Sequence, residues 1–363
     1  MTHRERFNKL FSGETVDRVP FIDFMGHCNF PSCLKRWKSE GLDPNAGPED
    51  VRRLIGFDYV RGYFLNVKLF VYPEFETSIV SRDGDKILRS NKWGGVELQQ
   101  EGSELMPLTV EGPVKDRYSW EKIKERLTGD ISIRFPEGFE NICKEAAESG
   151  LPVYTGDLPA GYFGALRELL GLEGLFFMLY DDPGLLSEIL DTFCELWINM
   201  YSEIQKHVPL DYIFIWEDMC DKRGPLISPK HFEEFLLPRY KQLIKTVRQN
   251  GCQHIMVDSD GNVLPLVPLW MDGDVNIVVP WETQFGLDMA DVRKEYPKLG
   301  IIGGLNKHVL EFSRSEMDKE LDKVPYMLEQ GYFIPSLDHG TTNAVSWDNY
   351  QYFYDRLRGM IIK

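Results

Sequence analysis

The chain has 363 residues, of which 43% are hydrophobic, and a formal net charge of −16. Its size and composition are those of a globular protein with a large core. The excess of acidic residues disfavours nucleic acids and anionic membranes as partners. The sequence has no apolar run near the roughly 20 residues that span a bilayer, and Met1 to Leu10 is polar rather than signal-like. We therefore expect a cytoplasmic protein whose six scattered cysteines are reduced.

Short apolar runs alternate along the chain with amphipathic stretches. This alternation is typical of parallel strands joined by crossover helices. Eight runs fit strands: Val19 to Phe24, Asp58 to Leu65, Pro152 to Leu158, Tyr212 to Glu217, His254 to Asp260, Val275 to Pro280, Gly300 to Leu305 and Tyr332 to Asp338. The order predicts an α/β fold, a (β/α)8 TIM barrel that occupies residues 1–363 as one domain.

Helical patterns fill the intervals between these runs, and two further segments extend the barrel. The predicted helices are Leu169 to Tyr180, Pro183 to His207, Pro229 to Gln249, Met289 to Tyr296, Ser315 to Gln330 and Trp347 to Met360. Arg4 to Ser12 reads as an N-terminal helical extension. The turn signal Asp83-Gly84 between alternating runs predicts a β-hairpin inserted at about 75–100.

The predicted strands end in acidic residues. In barrel enzymes the reacting groups come from these C-terminal ends and the loops that follow them. The ends carry Glu217 and Asp218, Asp258 and Asp260, Glu282, and Asp338 with His339. The sequence therefore predicts a carboxylate-rich site at the C-terminal mouth.

Asp258 and Asp260 are two residues apart and face the same way on a strand. Grouping carboxylates is costly unless a cation or a shared proton offsets the repulsion, so the pair indicates a site; the alternative is that it caps the helix after Gly261. Because Glu217 and Asp218 are adjacent, we expect one of them to face inward. His339 is expected to transfer a proton or to bind a metal, or else to bond only to backbone.

Several other residues are candidates for lining the pocket. His27 and Cys28, with Cys33, offer soft metal ligands, but we expect pocket lining instead. Aromatic side chains near the predicted strand ends suit a flat apolar substrate, although core packing would also explain them. The predicted substrate-binding residues are His27, Tyr63, Phe163, Trp216 and Asn306. The motifs of nucleotide-binding, dinucleotide-binding and α/β-hydrolase enzymes are missing from the sequence.

An ordered set of short motifs runs over nearly the whole chain. It includes Asp17-Arg18-Val19-Pro20, Gly56-Phe57-Asp58, Ser228-Pro229-Lys230-His231-Phe232, Ser259-Asp260-Gly261 and His339-Gly340. This set resembles the uroporphyrinogen decarboxylase superfamily, which contains decarboxylases and also methyltransferases that pass a methyl group from a small substrate to a corrinoid protein. The resemblance implies a (β/α)8 barrel, commonly dimeric, with a pocket at its C-terminal mouth.

The residues depart from two branches of that superfamily. The arginine-containing motif of the decarboxylases reads Phe24-Met25-Gly26-His27-Cys28-Asn29 here, and Arg61 to Leu65 lacks their essential aspartate. An acidic mouth also disfavours a tetrapyrrole with many carboxylates. The zinc pattern of the thiol-activating methyltransferases reads Asp258-x-Asp260 and His339 here, which suits a harder centre. The chain is most similar to the substrate-side methyltransferases of aryl methyl ether demethylation.

The resemblance implies a methyl transfer from a methoxylated aromatic to the cobalamin of a separate corrinoid protein, by a homodimer. Glu217, Asp218 and His339 are the expected catalytic residues, and Asp258, Asp260 and His339 the expected zinc ligands if a metal rather than a proton activates the ether. A second metal set, Asp218, Glu233 and His254, is disfavoured because His254 begins its strand. The alternatives are decarboxylation of a tetrapyrrole and a barrel that only binds a ligand or partner.

Overall fold

The computed structural model describes residues 1–25, 30–285 and 288–362, and a curled parallel sheet forms its centre. Within these residues seven strands pair in chain order, and every pair is parallel. The strands are β1 Tyr63–Phe64, β2 Val153–Thr155, β3 Tyr212–Trp216, β4 His254–Asp258, β5 Ile277–Trp281, β6 Gly300–Leu305 and β7 Phe333–Leu337. The α/β class is confirmed, with the strand order of a TIM-like barrel.

Alternate side chains of the strands face two different apolar clusters. On β3, Tyr212, Phe214 and Trp216 face the interior cluster, which also contains residues of the neighbouring strands, whereas Ile213 and Ile215 face the cluster under the helices. This is the two-residue period of a strand that is covered on both faces. The same period places the last residue of each strand at the edge where the chain turns into a loop.

Two predicted strands differ from the structure. Val19 to Phe24 joins no strand ladder in the described part of the chain, although Phe21 accepts a hydrogen bond from the backbone N–H of Asp58 (2.8 Å) and is buried in the interior cluster. The second predicted strand, Asp58 to Leu65, shortens to β1. The closed eight-stranded barrel therefore remains a prediction.

Helices cover the outer face of the sheet and its lower end. They are α1 His3–Phe11, α2 Pro31–Ser39, α3 Pro48–Ile55, α4 Arg117–Thr128, α5 Phe139–Glu148, α6 Tyr162–Asp181, α7 Pro183–His207, α8 Leu237–Gln249, α9 Val267–Asp272, α10 Met289–Glu295, α11 Arg314–Leu321, α12 Val324–Gln330 and α13 Trp347–Ile361. A helical turn, Pro229–His231, and a π-helical turn, Phe232–Leu236, lead into α8. Pro238 has no backbone N–H to donate to residue 234, which accounts for the local widening.

Helix α1 closes the N-terminal end of the sheet. Phe7 lies 5.1 Å from Tyr212 and 5.7 Å from His254 between ring centroids. Asp211 ties the helix to the strands, since its carboxylate accepts hydrogen bonds from Arg4 Nε (2.9 Å), Asn8 Nδ2 (2.5 Å) and Val153 N (2.7 Å). The open end of the barrel is therefore the one where the strands finish.

The segment predicted as a hairpin forms part of a larger sheet. Within the described residues, Ile79–Asp83, Lys86–Ser90, Val96–Gln100 and Leu108–Glu111 make a four-stranded antiparallel sheet. The last strand packs on α6, where Thr109 donates a hydrogen bond to the buried carboxylate of Glu168. The insertion is thus anchored to the barrel through α6.

Among the described helices, none has both the length and the apolar composition needed to cross a membrane. Cys33, Cys143, Cys194, Cys220 and Cys252 are buried free thiols, and Cys28 lies outside the described residues.

Asp211→Ala should lower the free energy of unfolding by at least about 3 kcal/mol, because it leaves a buried N–H and the Arg4 charge without their acceptor. Urea denaturation measures the loss. Asp272→Asn is the matched control, since Asp272 pairs with Lys241 on the exposed surface and should change stability by less than about 0.5 kcal/mol. Equal losses in both variants would contradict the assigned role of Asp211.

Candidate active site

Glu217, the residue after β3, is completely buried and serves as the cap of a helix. Its carboxylate accepts hydrogen bonds from the backbone N–H groups of Tyr162 (3.0 Å), Phe163 (2.6 Å) and Gly164 (3.1 Å), and from the Tyr240 hydroxyl. Burial raises the pKa of Glu217 to about 7, against the opposing hydrogen bonds. The anionic end of this side chain meets the positive end of α6. We assign Glu217 to positioning the loop, not to the catalytic role expected from the sequence.

The residues on either side of Glu217 face the mouth. Trp216 belongs to the interior cluster, and the Arg167 guanidinium carbon lies 4.7 Å from its ring centroid. Asp218 has a positive φ of 43° and pairs with Arg167 at 2.6 Å. A Cβ on Gly161 would lie 2.0 Å from the Trp216 carbonyl oxygen, so only glycine lets α6 start this close to β3. Because Asp218 pairs with Arg167, it orients the Arg167 guanidinium over the Trp216 ring.

Asp258 is the inward-facing carboxylate at the end of β4. Its side chain follows His254 and Met256 on the interior face of the strand, and the residue is 6% exposed. Burial, followed by repulsion from Asp260, raises the pKa of Asp258 well above its ordinary value, while Arg61 opposes this rise. The site therefore favours a protonated carboxylic acid at this position.

Asp260, His339 and Glu282 lie together beyond Asp258. His339 Nε2 is 3.4 Å from Asp260 Oδ2, and its Nδ1 accepts a hydrogen bond from the N–H of Gly340 (2.7 Å). The hydrogen bond to Asp260 raises the pKa of His339. Burial, with a further contribution from Asp260, raises the pKa of Glu282. The sequence prediction that carboxylates and His339 converge after the fifth and eighth predicted strands agrees with this geometry.

Arg61 is a site residue that the acidic pattern did not reveal. It precedes β1, and its guanidinium carbon lies 5.1 Å from the ring centroids of both Phe24 and Phe214. Phe64, on β1, has an exposed ring 5.2 Å from that of Tyr154. In the sequence, Arg61 is noticeable only as a charged residue within an aromatic run. Its inward position depends on contacts with residues of distant strands.

Three predicted substrate-binding residues lie elsewhere. The Tyr63 hydroxyl donates to Glu145 on α5 (3.3 Å), because strand alternation turns Tyr63 outward and Phe64 inward. Phe163 is buried in the cluster under the helices. Asn306 caps a 3₁₀ turn by accepting a hydrogen bond from the N–H of His308 (2.9 Å). His27 lies outside the described residues.

The predicted zinc ligands fit a metal poorly in the described geometry. In residues 1–25, 30–285 and 288–362, no three or more His, Cys, Asp or Glu side chains form a group able to hold a metal ion. Asp260 and His339 face each other as a hydrogen-bonded pair, which uses the ring nitrogen that zinc would need. The second set does not converge either, because His254 is buried against α1 and Asp218 lies at the mouth.

The arrangement places a buried carboxyl group opposite the aromatic residue Trp216 in the parallel ladder of β3 and β4. Burial raises the pKa of Asp258 and so favours its protonated form, the pair of His339 and Asp260 can bind or transfer a proton, and Arg61 adds a positive charge. Together these groups suit a reaction in which negative charge develops on a bound molecule.

Comparisons with known proteins place this site in a family. The family described as Uroporphyrinogen decarboxylase (URO-D) matches residues 163–360, which include Asp258, Asp260 and His339. The chloroplastic uroporphyrinogen decarboxylase of Nicotiana tabacum is 27% identical over 37% of this chain and 34% of its own length. That of Hordeum vulgare is 24% identical over 50% of this chain and 53% of its own. The matches thus span about a third to a half of these curated relatives.

A solved structure is similar over nearly the whole chain. A methyltransferase from Methanosarcina mazei superposes with a TM-score of 0.63, and the match covers 98% of this chain and 99% of that one. The two sequences are 17% identical. At this identity the likeness establishes the fold, including the strand order that brings the site together.

Glu217→Gln should lower the free energy of unfolding by about 1 to 3 kcal/mol, because the amide NH₂ replaces an oxygen that accepts buried N–H groups. Tyr240→Phe removes one donor and should cost about 1 kcal/mol. Urea denaturation of both variants, with the wild type, measures the difference. A Glu217→Gln protein as stable as the wild type would show that the cap does not hold α6.

Asp260→Asn should lower the pKa of His339, because the imidazolium loses the carboxylate that stabilises it. Since folding raises this pKa, the pair stabilises the protein at low pH, and the contribution is lost as pH rises through the folded pKa. Ring-proton NMR titration measures the midpoint, and the signal is assigned with His339→Gln. Asp272→Asn is the control and should leave the midpoint in place; a midpoint unmoved by Asp260→Asn would contradict the pairing.

Proposed function

The chain belongs to the uroporphyrinogen decarboxylase family, and from this membership we propose that it is a methyltransferase. Its reaction would remove the methyl group from a methoxylated aromatic and pass it to a separate corrinoid protein. The name of the structurally similar Methanosarcina mazei protein, a methyltransferase, supports this choice within a family that also contains decarboxylases.

The observation that carries the proposal is the buried carboxyl group of Asp258, which lies opposite Trp216 in the parallel ladder. A phenolate leaves an ether poorly unless its oxygen receives a proton or another positive charge as the bond breaks. Asp258 is buried, its pKa is raised, and it ends a strand at the open end of the barrel. It is therefore the side chain best suited to hold that proton.

In the proposed step, the electron pair of the O–CH₃ bond stays with the oxygen and the Asp258 carboxyl proton moves to the same oxygen. A neutral phenol then leaves, and the Asp258 carboxylate is reprotonated before the next turnover. A reduced corrinoid on the partner protein would supply the electron pair that accepts the methyl group. In this proposal His339, paired with Asp260, would return the proton to the site.

In this proposal other side chains hold the substrate or position the residues of the site. The exposed ring of Phe64 provides flat apolar surface for an aromatic ring, whereas the ring of Trp216 is buried beneath Arg167. Asp218 acts through Arg167, whose guanidinium covers Trp216. In this assignment Asp218 is a positioning residue and Asp258 replaces Glu217 as the acid.

Further parts of the proposal concern assembly. We propose that Val19 to Phe24 completes an eighth strand, because Phe21 and Phe24 are already buried in the interior cluster. The working enzyme is proposed to be a cytoplasmic homodimer that binds its corrinoid partner over the mouth. Zinc stays a separate prediction, which metal analysis of the purified protein tests.

A decarboxylase acting on a tetrapyrrole is the second candidate. The matched relatives from Nicotiana tabacum and Hordeum vulgare are decarboxylases, and Arg61 supplies a cation for a substrate carboxylate. Conversion of uroporphyrinogen to coproporphyrinogen, with no methyl transfer from a panel of methoxylated aromatics, would favour this candidate. No activity in either assay would favour a barrel that only binds a ligand or partner.

Asp258→Asn should lower the rate of demethylation of an unactivated methoxybenzene by at least about a hundredfold, because the leaving oxygen loses its proton donor. The loss should be much smaller for 4-nitroanisole, whose phenolate leaves without protonation. In the wild type the rate should fall as pH rises through the Asp258 pKa, and this limb should vanish in the variant. Phenol release is measured by chromatography with reduced corrinoid protein present.

The control for this experiment is Asp272→Asn, which removes a surface carboxylate and should leave both rates unchanged. Equal losses for the two ethers would show that Asp258 does not protonate the leaving group. A wild-type enzyme that releases phenol from neither ether, with reduced corrinoid protein and zinc supplied, would overturn the methyltransferase proposal.

A further inference from the structure

The N-terminal end of α2 is capped by a residue that lies far away in the chain. Phe30, which precedes the helix, has no side-chain acceptor, and the first turn of α2 contains no acidic residue. Glu104 lies in the segment that joins the last two strands of the inserted sheet, and it accepts hydrogen bonds from the backbone N–H and the hydroxyl of Ser32. A carboxylate in this place satisfies an amide that the helix leaves unpaired and is favoured by the helix dipole. The start of α2 therefore depends on the inserted sheet.

Helix α2 in turn holds the loop that follows His339. Three side chains on one face of the helix donate hydrogen bonds to carbonyl oxygens of this loop. The pairs are Cys33 with Thr341 (3.4 Å), Arg36 with Asn343 (2.7 Å) and Trp37 with Val345 (3.0 Å). A Cβ on Gly340 would lie 2.4 Å from a ring carbon of Phe30, so the backbone next to His339 packs against the start of α2. The end of the helix that Glu104 caps is thus the end that contacts the neighbour of His339.

The tip of the inserted sheet also forms one wall of a cavity beside the site. Phe30, Leu105 and His339 are among the residues that line this cavity of about 580 Å³. The inserted sheet is attached to α6 as well, where Thr109 donates a hydrogen bond to Glu168. It therefore bridges α6 and α2, and Glu104 is its attachment to α2.

We propose that Glu104 is a positioning residue for His339. By fixing the start of α2 it holds the loop that follows His339, and so it keeps the imidazole facing Asp260, 3.4 Å away. Helix ends open more readily than helix centres, so loss of the cap acts first on Phe30 and Cys33, which contact that loop. The coupling rests on these contacts, whereas its effect on turnover rests on the proposed function, in which His339 returns a proton.

Glu104→Ala removes the cap, and Glu104→Gln keeps an acceptor oxygen without the charge. Because Cys33 is completely buried, the rate at which a maleimide labels its thiol, measured by peptide mass spectrometry, reports opening of the start of α2. Glu104→Ala should raise this rate by about fivefold, as expected for the loss of a helix cap. It should also move the ring-proton NMR signals of His339 at a fixed pH, which are assigned with His339→Gln. Glu104→Gln should restore part of the wild-type behaviour in both measurements.

The matched control is Glu101→Ala, which removes a carboxylate that pairs with Arg82 inside the inserted sheet and should leave both measurements unchanged. Faster labelling of Cys33 with unmoved His339 signals would overturn the proposal, because α2 would then loosen without affecting His339. Equal changes in Glu104→Ala and Glu104→Gln would also overturn it, since the charge alone would explain them. A lower unfolding temperature of Glu104→Ala, with faster labelling of every buried cysteine, would assign Glu104 to global stability instead.

The same preparations are then assayed for methyl transfer with reduced corrinoid protein, so that the two proposals fail separately. Glu104→Ala should lower kcat more than it changes KM, because Glu104 acts on His339 and not on the ring of Phe64 that would hold the substrate. A wild type without turnover would count against the methyltransferase proposal and leave the coupling to be decided by the labelling and NMR measurements. An unchanged kcat beside shifted His339 signals would support the coupling and count against the role of His339 in the reaction.

Discussion

The carboxylate of Glu217 joins the three elements on which the barrel mouth depends. It follows β3, accepts three amide hydrogens at the start of α6, and receives the hydroxyl of Tyr240 from α8. Since Trp216 and Asp218 are its immediate neighbours, their directions follow from its position. A buried carboxylate with four donors is costly to desolvate but strongly directional. This interaction makes the neighbouring mouth residues part of a rigid frame.

The mouth is less acidic than its residue count indicates. Asp218 is paired with Arg167, and Asp338 accepts hydrogen bonds from Thr283 and from the backbone N–H of Lys307. Glu217 is enclosed by its donors. Asp258 and Asp260 lie near Arg61 and His339, and Glu282 accepts a hydrogen bond from the N–H of Gly261 (2.6 Å). The electrostatic objection to an anionic substrate therefore weakens once side chains are paired.

The sequence predicted which strand ends bring carboxylates and His339 together more reliably than it predicted the direction of each side chain. Asp258, Asp260 and His339 were found because period-two strands and the barrel rule fix the ends. Glu217 and Asp258 look alike in sequence, and only the distant start of α6 distinguishes a cap from an acid. Tyr63 was preferred to Phe64, and an error of one residue in a strand reverses the face. Arg61 depends on aromatic partners in other strands, which no local pattern reveals.

Helix α1, which Asp211 ties to the strands, closes the lower end of the barrel and so limits the route by which small molecules can enter and leave. With the proposed reaction, the small molecule must enter and leave at the same end where the methyl-accepting protein docks. A large partner seated there would block exchange, so the aromatic compound loads before the partner arrives and its product departs after the partner dissociates. Such a compulsory order would make the encounter between two proteins, and not the chemical step, a natural point of control.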